Sequence, residues 1–238
     1  MGGAITAPMT SRNPAVLSYY TLRKAVGIIA LSLPFVLAAG VILLALIGPD
    51  RTLPEPILQR SISDYYYTPM GNYLIGSLGA MAAFLICSRG YDLNDEITGY
   101  LAGTFTLGVA LFPSVNPRLV DHTRLQIELQ YAHTGSAALM FLVLAYFCLF
   151  LFCKSSPEKK LTRRKLHRNR IYRVCGLVIV VCMIVMVSLP FKSVARLLEP
   201  FEPLLCSESL ALMAFGVAWL TKGQGFMRDK PKDRIRTS

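Results

Sequence analysis

Six stretches of this 238-residue chain are apolar enough to cross a lipid bilayer. A hydrocarbon layer of roughly 30 Å needs about 20 helical residues at about 1.5 Å each. The stretches cover residues 24–48, 70–88, 97–112, 131–153, 172–190 and 203–222. Because lipid cannot satisfy exposed backbone groups, these stretches must be helical. We therefore predict an all-α fold, a polytopic membrane bundle with six transmembrane helices.

Lysine and arginine residues between these stretches lie mainly on alternate loops. Of the 25 such residues, 19 fall on the side that carries both termini and 6 fall on the other side. Because positive residues remain on the cytoplasmic side of membrane proteins, we predict that both termini are cytoplasmic. The chain then divides into a cytoplasmic N-terminal segment (1–23), a six-helix transmembrane domain (24–222) and a basic cytoplasmic tail (223–238).

The composition and the placement of charge indicate which partners to expect. A hydrophobic fraction of 53% and a mean hydropathy of +0.47 are typical of a helical bundle in lipid. The net charge of +11 is concentrated in loop 154–171 and the C-terminal tail. We expect membrane lipids as partners, with anionic headgroups at loop 154–171, and no nucleic acid. The plainer explanation of this loop is that its charge only sets the orientation of the chain.

Small residues spaced four apart indicate where helices approach closely. Gly99 and Gly103 share one face of the third stretch, and Gly76 and Ala80 share one face of the second. Close backbone approach favours helix association in lipid, where the hydrophobic effect does not act between helices. We expect these contacts within the monomer first, and in a homo-oligomer second.

A few polar residues lie toward the predicted outer ends of the stretches. If the second, fourth and sixth helices are neighbours, these residues converge in a cavity that opens to the outer leaflet or the periplasm. The catalytic candidates are His133, Glu208 and Asp64. The ligand-binding candidates are Tyr65, Tyr66, Tyr67, Asp121, His122 and Arg124.

Each catalytic candidate also has a purely structural interpretation. Glu208 lies about five residues inside the sixth stretch, where a carboxyl group is costly unless it faces protein or water. The alternative is a helix that begins later and places Glu208 at its N-terminus. His133 is suited to proton transfer near neutral pH, or to a simple bond with a neighbouring helix. Asp64 is suited to the site, or to a turn or helix cap.

Familiar motifs for metals, nucleotides and nucleophiles are absent from the sequence. The only histidines are His122, His133 and His167, and the predicted topology places His167 on the opposite side from the other two. Three histidines therefore cannot converge. A mixed site built from His122, His133, Asp64, Asp121 or Glu208 is the alternative, but no paired-histidine motif supports it, and we predict no metal. The sequence contains neither a Gly-x-Ser-x-Gly motif nor a phosphate-binding glycine loop. We predict no cofactor, and sequence reasoning alone places no serine beside a histidine.

Four sequence strings together resemble a known group of proteins. The strings are Ser61-Ile-Ser-Asp-Tyr-Tyr-Tyr-Thr, Arg89-Gly-Tyr-Asp, Ala102-Gly-Thr-Phe-Thr-Leu-Gly-Val-Ala-Leu-Phe-Pro113 and His133-Thr-Gly-Ser-Ala-Ala. In this order they resemble a family of uncharacterised bacterial six-helix membrane proteins, and more distantly the DRAM-type membrane proteins of lysosomes. The resemblance implies six helices with both ends cytoplasmic, and we expect the bacterial inner membrane. It supplies no catalytic residues.

Three functions are compatible with these features. The first is the binding of a lipid or amphipathic small molecule in an outward-facing polar pocket, since such sites are apolar with a few polar groups. The second is a lipid-modifying membrane enzyme that uses His133 with Asp64 or Glu208. The third is a channel or transporter subunit, although the middle of each stretch is too apolar to outline an ion path.

Overall fold

The computed structural model describes residues 14–48, 56, 58–88, 92–154 and 163–223, with side chains from residue 21 onward. Seven α-helices make up most of this part: α1 (Pro14–Ile47), α2 (Gly71–Ile86), α3 (Leu93–Leu111), α4 (Arg124–Tyr146), α5 (Arg163–Ser188), α6 (Lys192–Leu198) and α7 (Pro203–Lys222). The described part of the chain is all-α, which confirms the predicted class.

Three short helical segments complete the architecture. A 3-10 helix at Ser63–Tyr67 precedes α2, and a second one at Glu199–Phe201 precedes α7. A π-helical turn at Phe147–Leu151 extends the end of α4. The first of these segments matters most for the site, and we call it the 63–67 turn.

Four helical segments are long and apolar enough to cross a membrane, as in an integral membrane protein. They are Thr21–Ile47, Arg124–Leu151, Arg163–Ser188 and Pro203–Lys222. Helix α2 is apolar, but its 16 residues are fewer than the about 20 that a bilayer core requires. Each of the six predicted stretches is largely helical, yet six crossings and the cytoplasmic location of both termini stay predictions.

Some of the predicted segments fall outside the described residues. This applies to residues 1–13 of the N-terminal segment, to residues 224–238 of the basic tail and to residues 155–162 of the basic loop. It applies also to residues 89–91, which belong to one of the strings behind the family resemblance.

Large apolar side chains cover the outer surface of the long helices. Phe35 on α1 is 58% exposed, and on α5 Ile184 is 64% and Val187 is 70% exposed. Contiguous apolar surface of this kind is rare on soluble monomers, and it suits contact with lipid tails. The exposed surface therefore agrees with the length and composition of the helices.

The long helices form a closed ring. Helices α1 to α5 pack against one another in chain order, and α7 packs against both α5 and α1. The short helix α6 is not part of this ring. The sequence hypothesis assumed that α2, α4 and α7 are neighbours, but the extensive packing does not join α2 to either of the other two. Any convergence of their polar residues therefore needs another element.

The α1–α7 contact is closed by two glycines. A Cβ atom added to Gly216 would lie 2.8 Å from the carbonyl oxygen of Gly27, and one added to Gly27 would lie 2.9 Å from the backbone nitrogen of Leu220. Only hydrogen fits at these positions without a shift of the backbone. This pair, which was not among the predicted close contacts, brings the first and last long helices together.

The α2–α3 contact also uses glycines. A Cβ atom on Gly103 would lie 2.7 Å from the Ala82 carbonyl oxygen, and one on Gly99 would lie 3.0 Å from that of Leu85. This confirms the predicted contact within the monomer for these two residues. A Cβ atom on Gly76 would meet nothing within 4 Å, so the described structure shows no close contact there.

The end of the bundle where α1 begins and α7 ends is rich in lysine. The Nζ atom of Lys154 lies 2.9 Å from Asp92 Oδ2 and 2.8 Å from Asp95 Oδ1. Lys165 Nζ donates to the Phe152 carbonyl oxygen at 3.1 Å. We call this the basic end, defined by Asp92, Asp95, Lys154, Lys165 and Lys222.

Beneath the basic end lies a cluster of aromatic rings. Trp219 lies at its centre, with ring centroids 5.1 Å from Phe152, 5.3 Å from Phe147 and 5.0 Å from Phe215. Tyr172 stacks edge-on against Phe152 at 5.3 Å. Aromatic pairs at this separation contribute about 0.5–1.5 kcal/mol each beyond their buried area. These rings join α4, α5 and α7.

Candidate functional site

The 63–67 turn lies at the other end of the bundle and is shaped by two hydroxyl groups. Ser61 Oγ accepts from the backbone N–H of Asp64 at 3.0 Å, which caps the start of the turn. Thr68 Oγ1 donates to the Tyr65 carbonyl oxygen at 2.7 Å and closes its end. Side chains that bond the nearby backbone favour turns over continuous helix. Ile62 and Tyr65 are buried, so the turn is anchored in the bundle.

His133 connects this turn to the end of α3. Its Nδ1 atom lies 2.6 Å from the Phe112 carbonyl oxygen, and its Nε2 atom lies 2.9 Å from Ser63 Oγ. Because a carbonyl oxygen only accepts, the Nδ1 atom carries the proton, and in the neutral ring Nε2 is then an acceptor. Ser63 therefore donates its hydroxyl hydrogen to His133, which is 6% exposed.

Glu208 holds the same turn from α7. Its Oε2 atom accepts from the backbone N–H of Ile62 at 2.6 Å. Helix α7 begins at Pro203, so Glu208 lies inside the helix. The alternative of a later helix start is therefore wrong. The carboxyl group of Glu208 and the ring of His133 thus bind two consecutive residues, Ile62 and Ser63.

One cavity brings His133 and Glu208 together. Its polar lining includes Ser63, Tyr66, Ser114, His133 and Glu208. Its apolar lining includes Leu74, Leu78, Val109, Met140, Phe141 and Leu212. The empty volume is about 540 Å³, part of it open to the outside, and about 30 Å³ admits a water-sized molecule. A bound water needs at least about 10–15 Å³ of such space, so water fits within. We call this end the pocket end, defined by Ser63, Ser114, His133 and Glu208.

Ser114 brings an unused hydroxyl group to the cavity. The residue is 8% exposed, and its Oγ atom has no hydrogen-bond partner within the described part of the chain. Its carbonyl oxygen accepts from the hydroxyl of Tyr67, which fixes the loop that follows α3. A buried polar group without a partner costs about 1–3 kcal/mol. The cavity therefore offers one free hydrogen-bonding group to anything that enters it.

Asp64 lies beside the cavity and does not line it. The residue is 9% exposed, and this burial raises the pKa of its carboxyl group above the ordinary value. A hydrogen bond with Ser61 and electrostatic interactions with Arg60 and His133 act in the opposite direction. Asp64 thus lies within electrostatic range of His133. It belongs to the 63–67 turn, as its structural interpretation predicted.

The three tyrosines have different surroundings. Tyr65 is 1% exposed and belongs to the hydrophobic core. Tyr66 lines the cavity and is 36% exposed, whereas the Tyr67 hydroxyl is bound to Ser114. Burial raises the pKa of both Tyr65 and Tyr67. Only Tyr66 is therefore placed to contact a ligand in the cavity.

The remaining ligand-binding candidates lie away from the cavity. None of Asp121, His122 and Arg124 is among its lining residues, and Arg124 forms an exposed ion pair with Glu128 at 3.0 Å. The physical reason is that α4 begins at Arg124, with a capping box from Thr123, and not at the predicted residue 131. At about 1.5 Å per residue, this places Arg124 about 13 Å along the helix from His133.

Ser63 and Ser114 are the functional candidates that sequence reasoning missed. Ser63 lies 70 positions from its partner His133, and no local pattern announces the pair. The structure thus supplies the serine beside a histidine that the sequence could not reveal. Within the described residues, no group of three His, Cys, Asp or Glu side chains could hold a metal ion.

No family model, curated protein or solved structure matches this chain. The resemblance to the bacterial six-helix family stays a prediction. The function must therefore be argued from the geometry of the pocket end.

Proposed function

We propose that this protein binds the polar end of a lipid or amphipathic small molecule in the cavity at the pocket end. The observation that carries the proposal is the meeting of His133 from α4 and Glu208 from α7 in one cavity whose other walls are mainly apolar. Ligand sites typically combine an apolar lining with a few polar groups that orient the ligand.

The size of the cavity defines which part of the ligand enters. Space for a water-sized molecule is about 30 Å³, so a polar group fits and an acyl chain does not. The hydroxyl of Ser114 and the carboxyl group of Glu208 supply hydrogen bonds to that polar group. The ring of His133, whose two nitrogens are already bonded, forms part of the cavity wall. The chain of the ligand then lies outside, past Tyr66, along apolar helix surfaces that face lipid.

The charge distribution supports an orientation for this proposal. With 19 of the 25 Lys and Arg residues on the side of the termini, six helices cross the bacterial inner membrane and the cavity faces the outer leaflet or periplasm. On the cytoplasmic side, Arg163, Arg170 and Arg173 line a groove on α5 together with Val174 and Leu177. Cations above an apolar helix surface suit anionic lipid headgroups, the partner we propose for the basic loop.

The channel or transporter alternative has no supporting observation in the described interior. The residues that are completely buried include Leu33, Leu37, Met81, Leu144 and Ile179, which come from four of the ring helices. A conducting path requires polar groups or a water-filled passage along its length. The described core is instead filled by apolar side chains.

Mass spectrometry of amphiphiles that co-purify with the full-length protein tests the binding proposal. We expect Glu208→Gln and Ser114→Ala to lower ligand occupancy about tenfold, equivalent to a loss of about 1.4 kcal/mol. Glutamine still accepts the hydrogen bond from Ile62 N–H, so the turn is retained. Equal ligand occupancy in the wild type and both variants would contradict the proposal.

Ser88→Ala is the matched control for Ser114→Ala. Both serines are 8% exposed, but Ser88 Oγ donates to the Phe84 carbonyl oxygen at 2.7 Å within α2 and does not line the cavity. We expect this control to retain the wild-type ligand occupancy. A loss as large as that of Ser114→Ala would show that the effect arises from general destabilisation.

A further inference from the structure

We propose that Ser63 and His133 act as a nucleophile and general base that hydrolyse an acyl ester at the pocket end. The inference rests on the proposed function, because the substrate is an ester-containing amphiphile whose polar end enters the cavity. Ser63 Oγ and His133 Nε2 are 2.9 Å apart, and both residues line that cavity. Ser63 is only partly buried, and it lies at the wall of the space that a substrate would enter.

The orientation of His133 is the second support. Its Nδ1–H group donates to the Phe112 carbonyl oxygen, which holds the ring with Nε2 directed toward Ser63. Nucleophilic serines are activated by a hydrogen-bonded base that a third group orients, and such sites are recognised by geometry and not by sequence position. The backbone carbonyl of Phe112 takes the orienting role here.

The acylation step uses only groups already in the cavity and the ester itself. Ser63 Oγ forms a bond to the ester carbonyl carbon while its proton passes to His133 Nε2. The bond between that carbon and the alcohol oxygen then breaks, and the alcohol leaves with the proton from Nε2. The product is an acyl ester of Ser63 with His133 neutral again.

Water completes the cycle. A water molecule attacks the carbonyl carbon of the acyl-serine and gives one proton to His133 Nε2. The bond between carbon and Ser63 Oγ breaks, Ser63 recovers that proton, and the carboxylic acid leaves. The balance is one ester and one water converted to one acid and one alcohol. The cavity admits a water-sized molecule beside both residues.

Ser114 supplies the remaining element of an acyl-transfer site. Negative charge develops on the ester carbonyl oxygen during both steps, and a preorganised hydrogen-bond donor stabilises it. Ser114 lines the same cavity, and its buried hydroxyl has no partner in the described part of the chain. In the proposed reaction, this hydroxyl turns toward the ester carbonyl oxygen and donates to it.

A small serine-directed probe distinguishes this reaction from a purely structural bond between Ser63 and His133. The full-length protein in detergent micelles is incubated with a short-chain alkyl fluorophosphonate, and peptide mass spectrometry locates the adduct. We expect an adduct on Ser63 that is absent in Ser63→Ala. In His133→Gln, whose amide keeps hydrogen-bonding capacity but is not a base, we expect the labelling rate to fall about 100-fold or more.

Two further measurements separate a loss of reactivity from unfolding and from a loss of ligand binding. The thermal midpoint of each variant establishes that the protein is folded, and the occupancy of co-purified amphiphile is recorded on the same samples. A folded wild type without an adduct on Ser63, or equal labelling rates in wild type and His133→Gln, would overturn the inference. If amphiphile binding still depends on Glu208 in that case, the proposed function stands without the hydrolysis.

Discussion

The two ends of the bundle use polar groups in opposite ways. At the basic end, Lys154 Nζ is paired with both Asp92 and Asp95. At the pocket end, the Ser114 hydroxyl has no described partner, and Ser114 lines a cavity together with His133 and Glu208. Satisfied polar groups rigidify a structure, whereas unsatisfied ones are retained where something binds. The comparison supports a stabilising role for the basic end and the binding role that we propose for the pocket end.

The surroundings of the unpaired groups sharpen this difference. The basic end has unpaired groups as well, since Asn169 Oδ1 and the indole N–H of Trp219 have no partner among the described residues. Trp219 is 1% exposed and enclosed by aromatic rings, so its N–H group is inaccessible. Ser114 instead lines a cavity with an opening, so its buried hydroxyl group lies beside space and not only beside packed rings.

The largest expected effect is the loss of side-chain packing at the basic end, compared with a similar truncation at the pocket end. Trp219→Ala removes the centre of the aromatic cluster, and we expect a loss of about 3–5 kcal/mol in the free energy of unfolding. Tyr66→Ala removes a side chain that is 36% exposed, so we expect about 1 kcal/mol or less. Thermal unfolding in detergent measures both. Equal losses of unfolding free energy in the two variants would contradict the proposed difference between the two ends.

A second prediction concerns how closely the helices approach. Gly216→Val places carbon atoms against the backbone of Gly27, and we expect a loss of about 1–3 kcal/mol from overpacking. Gly76→Val is the matched control near the pocket end, since a Cβ atom there meets nothing within 4 Å. We expect its unfolding midpoint to remain near that of the wild type. A larger loss of stability in Gly76→Val than in Gly216→Val would contradict the close approach of α1 and α7 at Gly216.

The smallest expected effects are opposite responses to pH. The hydrogen bond from Lys154 holds the pKa of Asp92 below its ordinary value. The contribution of Asp92 to stability is therefore fully present when the pH is above that ordinary pKa. This contribution is lost as the pH falls through the lowered pKa of the folded state. Burial raises the pKa of Asp64 in the folded state. The contribution of Asp64 to stability is therefore greatest when the pH is below the ordinary pKa of an aspartate, and it is lost as the pH rises through the raised pKa.

Thermal midpoints of Asp92→Asn and Asp64→Asn across an acid pH series measure these contributions. Relative to wild type, we expect Asp92→Asn to be less stable at neutral pH and to approach the wild type in acid. We expect Asp64→Asn to be at least as stable as wild type at neutral pH and to lose that relative gain in acid. Parallel curves for the two variants would contradict the assignment of opposite pKa shifts.

Part of the candidate site could be predicted because ionisable residues in apolar helices are costly. This cost singled out Glu208 and His133, and the structure places both in one cavity. The prediction for Asp121, His122 and Arg124 depended on where α4 begins, and the capping box at Thr123 starts the helix earlier than hydropathy indicates. Serine carries no such cost, so Ser63 and Ser114 could not be distinguished from the other serines.

The length of the apolar stretches by itself determined an all-α fold with helices long enough for a membrane, because backbone groups in lipid must be hydrogen-bonded within the segment. Only the tertiary structure decided that the 63–67 turn would connect α4 to α7. That connection consists of two hydrogen bonds, from Ile62 N–H to Glu208 and from Ser63 to His133, each joining residues at least 70 positions apart. Local patterns do not encode such pairs, since they arise only after the helices have packed into a ring.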